Sequence, residues 1–193
     1  MTFENIPDWV LKNDVPGWLI DGDLIALYQL ASNLSENNII VEIGSLHGKS
    51  AVQMARSTSA SIYCFDLWGG RSNSSDGLER INDLETFQSF TKEYPNIKPK
   101  RVNNSPDSAD WGEQLVDLVF IDALHANPSD WKLIEYWMPK IKKGGILCGH
   151  DFFQGPPEKI AFPDVNENVA KLEKILDQKV KIYEHSLIWS FKI

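Results

Sequence analysis

The chain has 193 residues, of which 42% are hydrophobic and 24% charged, a size and composition typical of a globular protein with a sizeable core. A formal net charge of −8 would repel a phosphate backbone, so we expect no nucleic-acid partner. No apolar run approaches the roughly 20 residues needed to cross a bilayer, and the N-terminus lacks the pattern of a signal peptide, so we expect a cytoplasmic protein without a membrane partner.

Amphipathic stretches along the chain predict helices. The first lies ahead of residue 36, and the second is expected to begin near Lys49. The third enters through Pro128-Ser129 and is expected to end at Gly144-Gly145, because glycine ends helices. The last is expected to have Asp164 as its cap. The apolar stripes are Leu24, Leu27, Tyr28, Ala31 and Leu34; Trp131, Ile134, Met138 and Ile141; and Val165, Val169, Leu172 and Leu176.

Short apolar runs alternate with these helices and predict strands at 39–43, 61–65, 116–121 and 145–148. Near-continuous apolar strands separated by helices indicate a parallel sheet covered on both faces. The last two runs, 180–183 and 187–191, are joined by three residues, which permits only antiparallel pairing. The expected fold is therefore α/β and Rossmann-like: a mostly parallel sheet with helices on both faces and a C-terminal antiparallel hairpin.

We expect a single domain over residues 1–193, in which an N-terminal helical segment (1–36) precedes an α/β core (37–193). Cys64 and Cys148 lie inside apolar runs and are predicted to be buried free thiols, which suits a reducing compartment.

Ligands of open α/β sheets bind beyond the carboxyl ends of the strands, and the first two strands end in residues suited to a nucleotide. Gly44 and Gly48 permit a tight turn before a helix. Asp66, 22 residues after Gly44, is placed to accept the hydroxyls of a ribose, and Leu67 and Trp68 could pack on an adenine, although Trp68 is almost as well explained as core.

A dinucleotide enzyme is the main rival interpretation. The turn has the pattern Gly-x-x-x-Gly and lacks the middle glycine that lets the backbone approach a pyrophosphate. The residues in its place, Ser45-Leu46-His47, favour a ligand without a pyrophosphate.

Several ordered motifs resemble the class I S-adenosylmethionine-dependent methyltransferases, in particular the cephalosporin-hydroxylase-like and macrocin-type O-methyltransferases. The resemblance covers roughly residues 16 to 155. Its motifs are Pro16-Gly17-Trp18-Leu19, Val41-Glu42-Ile43-Gly44-Ser45-x-x-Gly48-Lys49-Ser50, Asp66, Phe120-Ile121-Asp122-x-x-His125, Gly144-Gly145 and Gly149-His150-Asp151-Phe152.

The resemblance implies S-adenosylmethionine as cofactor. It implies that the turn from Gly44 to Gly48 borders the methionine part of the cofactor, that Asp66 holds the ribose and that Glu42 organises the turn. Asn104 and Ser105 would lie near the adenine. The full set of candidate cofactor-binding residues is Glu42, Gly44, Ser45, His47, Gly48, Ser50, Asp66, Leu67, Trp68, Asn104, Ser105 and Asp122; a structural role is an alternative for His47.

The ends of the next two strands carry a second group of polar residues: Asp122, His125, His150 and Asp151. By resemblance to metal-dependent catechol-type methyltransferases, Asp122, His150 and Asp151 are candidate metal ligands. The imidazole would suit Mn²⁺, Fe²⁺ or Zn²⁺ better than Mg²⁺. His125 stands where that family has a lysine base. His125 and Asp122 are therefore the candidate catalytic residues. A structural role for His125, as a helix cap or a partner of Asp122, remains open.

The expected reaction is methylation of a hydroxyl on a small-molecule substrate, with or without a divalent cation. An NAD(P)-dependent oxidoreductase and an inactive S-adenosylmethionine-binding module are the alternatives. The glycine-rich stretch 68–77 is either a lid over the cofactor or an ordinary loop. The acceptor stays open, as does assembly into a homo-oligomer.

Overall fold

A seven-stranded sheet forms the centre of the protein in a computed structural model that describes residues 6–73, 79–102 and 111–193. The strands, in chain order, are β1 (Ile39–Ile43), β2 (Ser61–Asp66), β3 (Gly69–Asn73), β4 (Glu79–Asp83), β5 (Ile97–Arg101), β6 (Val116–Ile121), β7 (Ile141–Gly149), β8 (Lys181–Ile182) and β9 (Trp189–Lys192). The helices are α1 (Asp21–Ala31), α2 (Lys49–Ser57), α3 (Leu84–Thr91), α4 (Ser129–Trp137) and α5 (Pro163–Leu176). Short 3₁₀ turns cover Asp8–Leu11, Met138–Lys140 and Pro157–Lys159.

The strand order in the large sheet is β5-β2-β1-β6-β7-β9-β8. The first five strands pair in parallel, whereas β9 is antiparallel to both β7 and β8. The predicted Rossmann-like sheet with a C-terminal antiparallel pair is therefore confirmed. The chain leaves β1 towards β2 and β5 and then returns to β6 on its other side, which opens a crevice at the carboxyl ends of β1 and β6.

Successive residues of each strand point to opposite sides of the sheet, so these apolar strands present apolar side chains on both faces. Helices cover both faces. Ile40 and Phe120 belong to one apolar cluster, with Leu27 of α1 and Phe87 of α3. The other cluster includes Val41 and Val119, with Trp137 of α4 and Leu172 of α5. Cys64 and Cys148 are buried and free, as predicted. None of the helices in the described ranges has the length and apolarity needed to cross a membrane.

The residues before α1 pack on α2 through specific hydrogen bonds. The buried Gln53 amide donates to the carbonyls of Val10 and Leu24, at 3.0 Å each. The Arg56 guanidinium donates to the Trp9 carbonyl at 2.9 Å and lies over the Trp9 ring, 4.7 Å from its centroid. These contacts fix the start of α1 against the core.

Three sequence-based predictions about local structure are wrong. The third predicted helix ends at Trp137, where Pro139 lacks the N–H needed to extend it, and Gly144-Gly145 lies inside β7. Asp164 does not cap α5, whose N-cap is Phe162; its carboxylate instead accepts a bond from the Asn127 backbone N–H at 2.8 Å.

The third correction concerns the stretch 68–77, for which a loop was expected; its role as a lid stays a prediction. Its residues 69–73 form β3, which pairs with β4 in an antiparallel two-stranded sheet. Backbone pairing needs no apolar pattern, so the polar sequence gave no indication of these strands. The part of this stretch from residue 74 onward, like Asn104 and Ser105, lies outside the described residues.

Candidate active site at the carboxyl ends of the strands

The glycine turn after β1 contacts the end of β6 directly. Gly44 and Gly48 have φ angles of +86° and +90°, which L side chains rarely adopt. A Cβ atom at Gly44 would also clash with the Asp122 carbonyl oxygen. The turn therefore brings its backbone against the strand end that carries the reactive residues.

The Asp66 carboxylate is bound to the same turn. Its Oδ2 accepts hydrogen bonds from the backbone N–H groups of Ser45 at 2.9 Å and Leu46 at 2.8 Å. Its Oδ1 accepts from the Trp68 backbone N–H at 3.1 Å. Asp66 thus lies beside the turn at the end of β2, where the sequence predicts the ribose, and it also orders the turn.

Glu42 is fully buried beneath the turn. Its Oε2 accepts a hydrogen bond from the Ser45 hydroxyl, and its Oε1 has no hydrogen-bond partner among the described residues. Burial raises the pKa of Glu42 from 4.5 to about 7, against the opposing effect of the Ser45 hydrogen bond. A protonated carboxyl group is therefore favoured at this position below neutral pH.

The remaining predicted cofactor residues differ in exposure. Leu67 is half-exposed directly after β2. The Trp68 ring is buried, 4.7 Å from the Phe87 ring, and its Nε1 donates to the Leu46 carbonyl at 3.0 Å. Trp68 is thus a core residue that supports the turn. His47 and Ser50 are also buried.

Asp122, His125 and Asp151 form a cluster at the ends of β6 and β7. His125 Nε2 lies 3.1 Å from Asp122 Oδ1 and also contacts Asp151 Oδ2. One potential ligand atom from each of the three residues lies within 4.8 Å of the others. His125 and Asp151 have φ angles of 57° and 63°, in the left-handed region, where backbone strain often accompanies functional sites.

His150 lies next to this cluster but has a different principal partner. Its Nδ1 is 3.3 Å from Asp151 Oδ2 and 3.9 Å from Asp122 Oδ2. Its Nε2 is 3.0 Å from Oδ2 of the fully buried Asp23 in α1. Among the described residues, the donor atoms that converge as a possible cation site come from Asp122, His125 and Asp151, and the predicted ligand His150 lies beside them through Nδ1.

Burial and charge shift the pKa values of this group in different directions. Burial raises the pKa of Asp122 to about 6; His150 opposes the rise and Asp151 adds to it. Burial alone would lower the pKa of His150, but hydrogen bonds to Asp151 and Asp23 raise it to about 11. Without a bound cation, His150 therefore balances part of the negative charge of the carboxylates.

A small pocket adjoins the cluster. Five apolar residues line it together with Asp122, His125 and His150, and Asp130 and Asn168 add buried polar groups. The Phe162 ring lies 4.6 Å from the His125 ring, and the neighbouring Leu124 is 56% exposed. The surroundings of His125 therefore combine apolar surface with polar groups, as is usual for small-molecule sites.

Comparison with protein families decides the class of the protein. A sequence model for a methyltransferase domain matches residues 41–152, more than half of the chain. The chain belongs to this methyltransferase family. The match spans the glycine turn, Asp66 and the cluster. It favours a methyltransferase over the NAD(P)-dependent oxidoreductase that the sequence analysis kept as an alternative.

Solved structures of methyltransferases share the fold of this family member. A "putative caffeoyl-CoA O-methyltransferase from Staphylococcus aureus" is 17% identical with a TM-score of 0.64, covering 96% of this chain and 88% of that one. CalS11, described as a TDP-rhamnose 3'-O-methyltransferase, is 16% identical with a TM-score of 0.60, covering 98% and 88%. A "putative methyltransferase from streptococcus mutans in complex with SAH" is 12% identical with a TM-score of 0.58, covering 88% and 96%. No curated protein sequence gives a significant match.

Sequence reasoning missed Asp23, which contacts the candidate residue His150. Asp23 lies in the first turn of α1, where an acidic residue is ordinary because it suits the helix dipole. It is 127 positions from His150, so neither spacing nor motif could have indicated their contact.

Proposed function

We propose that this methyltransferase transfers the methyl group of S-adenosylmethionine to a hydroxyl oxygen of a small molecule, assisted by a divalent cation at Asp122 and Asp151. The observation that supports the proposal best is the convergence of two carboxylates and His125 within 4.8 Å, directly beside the glycine turn. Oxygen acceptors need their proton removed, and this cluster contains groups able to do so.

The cofactor side of the site is built from the glycine turn and Asp66. When bound, S-adenosylmethionine supplies a methyl group already activated by its positively charged sulfur. The protein must therefore mainly align the acceptor oxygen for in-line attack. In the proposal, Asp66 would accept the ribose hydroxyls and the turn, which lies against Asp122, would hold the methionine part.

The donor set fits a divalent cation. Two carboxylates at such a short distance repel each other unless a positive charge lies between or beside them. Carboxylate oxygens suit Mg²⁺ and Mn²⁺, and an added imidazole nitrogen suits Mn²⁺ or Zn²⁺. A cation there would lower the pKa of the acceptor hydroxyl. We propose Asp122, Asp151 and His150 Nδ1 as its protein donors.

His125 is then the base. In this proposal its imidazole receives the hydroxyl proton as the O–CH₃ bond forms and the S–CH₃ bond breaks. His125 Nε2 lies 3.1 Å from Asp122 Oδ1, beside the place proposed for the cation, where an acceptor hydroxyl would be within its reach.

The experiment has a binding step and a turnover step. Calorimetric titration should show S-adenosylmethionine binding and no NAD binding. Transfer of labelled methyl is then measured to catechol and to TDP-rhamnose, each with an amine analogue, in Mn²⁺ and in EDTA. We expect transfer to a hydroxyl compound that EDTA abolishes.

Matched histidine variants assign the base. His125→Ala should lower turnover by about 10²–10⁴-fold without changing the affinity for S-adenosylmethionine. His185→Ala, which removes an exposed imidazole in the β8–β9 link, should behave as the wild type. Full turnover by His125→Ala would remove it as the base, and transfer to the amine analogues instead would contradict O-methylation.

A further inference from the structure

Asp23 connects the start of α1 to two other parts of the protein. Its side chain is fully buried, and each carboxylate oxygen has two hydrogen-bond partners. Oδ1 accepts from the Ser186 hydroxyl at 2.7 Å and the Leu187 N–H at 2.9 Å. Oδ2 accepts from the Ile20 N–H at 3.0 Å and contacts His150 Nε2 at 3.0 Å.

The chemistry of these partners fixes the proton on the His150 ring. An ionised carboxylate accepts hydrogen bonds and donates none, so the nitrogen that faces it must carry the hydrogen. Ser186, Leu187 and Ile20 already donate three hydrogen bonds to the Asp23 oxygens, so this side chain faces His150 as a carboxylate acceptor. Nε2 of His150 therefore carries a hydrogen in both the charged and the neutral form of the ring.

The opposite nitrogen of the ring faces the reactive cluster. With Nε2 held by Asp23, Nδ1 is directed at Asp151 and Asp122, at 3.3 and 3.9 Å. A histidine can bind a metal ion only through a nitrogen that bears no proton, and such ligands usually donate their other N–H to a carboxylate.

We propose that Asp23 is a positioning residue: it keeps the proton on His150 Nε2 and so directs Nδ1, as the third protein donor, towards a divalent cation at Asp122 and Asp151. This inference rests on the proposed cation-assisted function. It assigns a role in the site to a residue of the N-terminal helix, which the matched methyltransferase domain does not include.

A purely structural role is the competing explanation, because Asp23 also ties α1 to the β8–β9 link. Two variants separate these roles. Asp23→Asn alters the group that faces His150, whereas Ser186→Ala removes one bond to Oδ1 and leaves the His150 contact in place. If Asp23 only anchors the helix, both variants should change the same properties.

The measurement is nitrogen NMR of ¹⁵N-histidine-labelled protein with and without Zn²⁺, together with calorimetric titration of Zn²⁺ alone. The chain has four histidines, so a His150→Gln spectrum assigns the resonance. In the wild type we expect Nε2 to stay protonated throughout and Nδ1 to move to a metal-bound shift. Asp23→Asn should alter the Nε2 resonance and weaken Zn²⁺ binding by about 10–100-fold. Ser186→Ala should retain the wild-type resonances and affinity.

The inference is overturned if Asp23→Asn keeps the wild-type nitrogen shifts and Zn²⁺ affinity, or if Ser186→Ala loses affinity equally. Should Asp23→Asn fail to fold, the wild-type spectrum still decides: a metal-bound Nε2, or a Nδ1 that keeps its proton in Zn²⁺, contradicts the proposal. Neither the NMR spectra nor the Zn²⁺ titrations depend on methyl transfer. A protein that gives the expected spectra but transfers no methyl group would therefore refute the proposed function and leave the role of Asp23 intact.

Discussion

The buried Glu42 carboxyl group should make the stability of the protein depend on pH. The folded protein retains the Glu42 proton up to a pKa of about 7, whereas the unfolded chain releases it near 4.5. Between these values the unfolded state binds fewer protons, so the free energy of unfolding falls as pH rises. A difference of about 2.5 between the two pKa values lowers the free energy of unfolding by roughly 3 kcal/mol over this pH range.

Glu42→Gln removes this titration while keeping a similar shape and an oxygen for the Ser45 hydroxyl. We expect the variant and the wild type to be about equally stable near pH 4.5. At pH 8 the variant should be more stable by about 3 kcal/mol, because the wild type then buries a charge. The other titrating groups are common to both proteins and cancel in the comparison.

Urea denaturation from pH 4.5 to 8 measures this difference. Glu158→Gln is the matched control, because Glu158 is exposed and the same substitution there should leave the pH dependence of the wild type unchanged. The reasoning fails if Glu42→Gln and the wild type have parallel stability profiles. It also fails if the wild type gains stability relative to the variant above pH 7.

Two further predictions concern the cofactor turn. Gly44→Ala should destabilise the protein and weaken S-adenosylmethionine binding, because the added Cβ would meet the Asp122 carbonyl. Gly112, which has a similar φ of +70° but open space around it, provides the control. In denaturation and calorimetry, Gly112→Ala should show only the cost of the strained backbone. Asp66→Asn keeps one carbonyl oxygen for the turn but loses the charge. It should weaken S-adenosylmethionine binding about tenfold or more, and unchanged affinity would exclude a ribose role for Asp66.

Much of the fold was predictable because it depends on local patterns. Short apolar runs and amphipathic stretches recur at the right lengths, and β1, β2, β6 and the C-terminal pair appear where predicted. Predictions failed where a local signal has two meanings. Glycine ends helices but also occurs in strands, as Gly144 does in β7, and an acidic residue at a helix start can bond a distant loop, as Asp164 does.

The candidate site divides in a similar way. The positions of Asp122, His125, His150 and Asp151 after two strands can be read from the residue order, and parallel strands bring their carboxyl ends to the same edge. Which atoms of these side chains contact one another is visible only in the folded structure. It places the His125 imidazole against both carboxylates and directs His150 Nε2 at Asp23. Side-chain orientation depends on packing between segments distant along the chain, and no local pattern in the sequence records it.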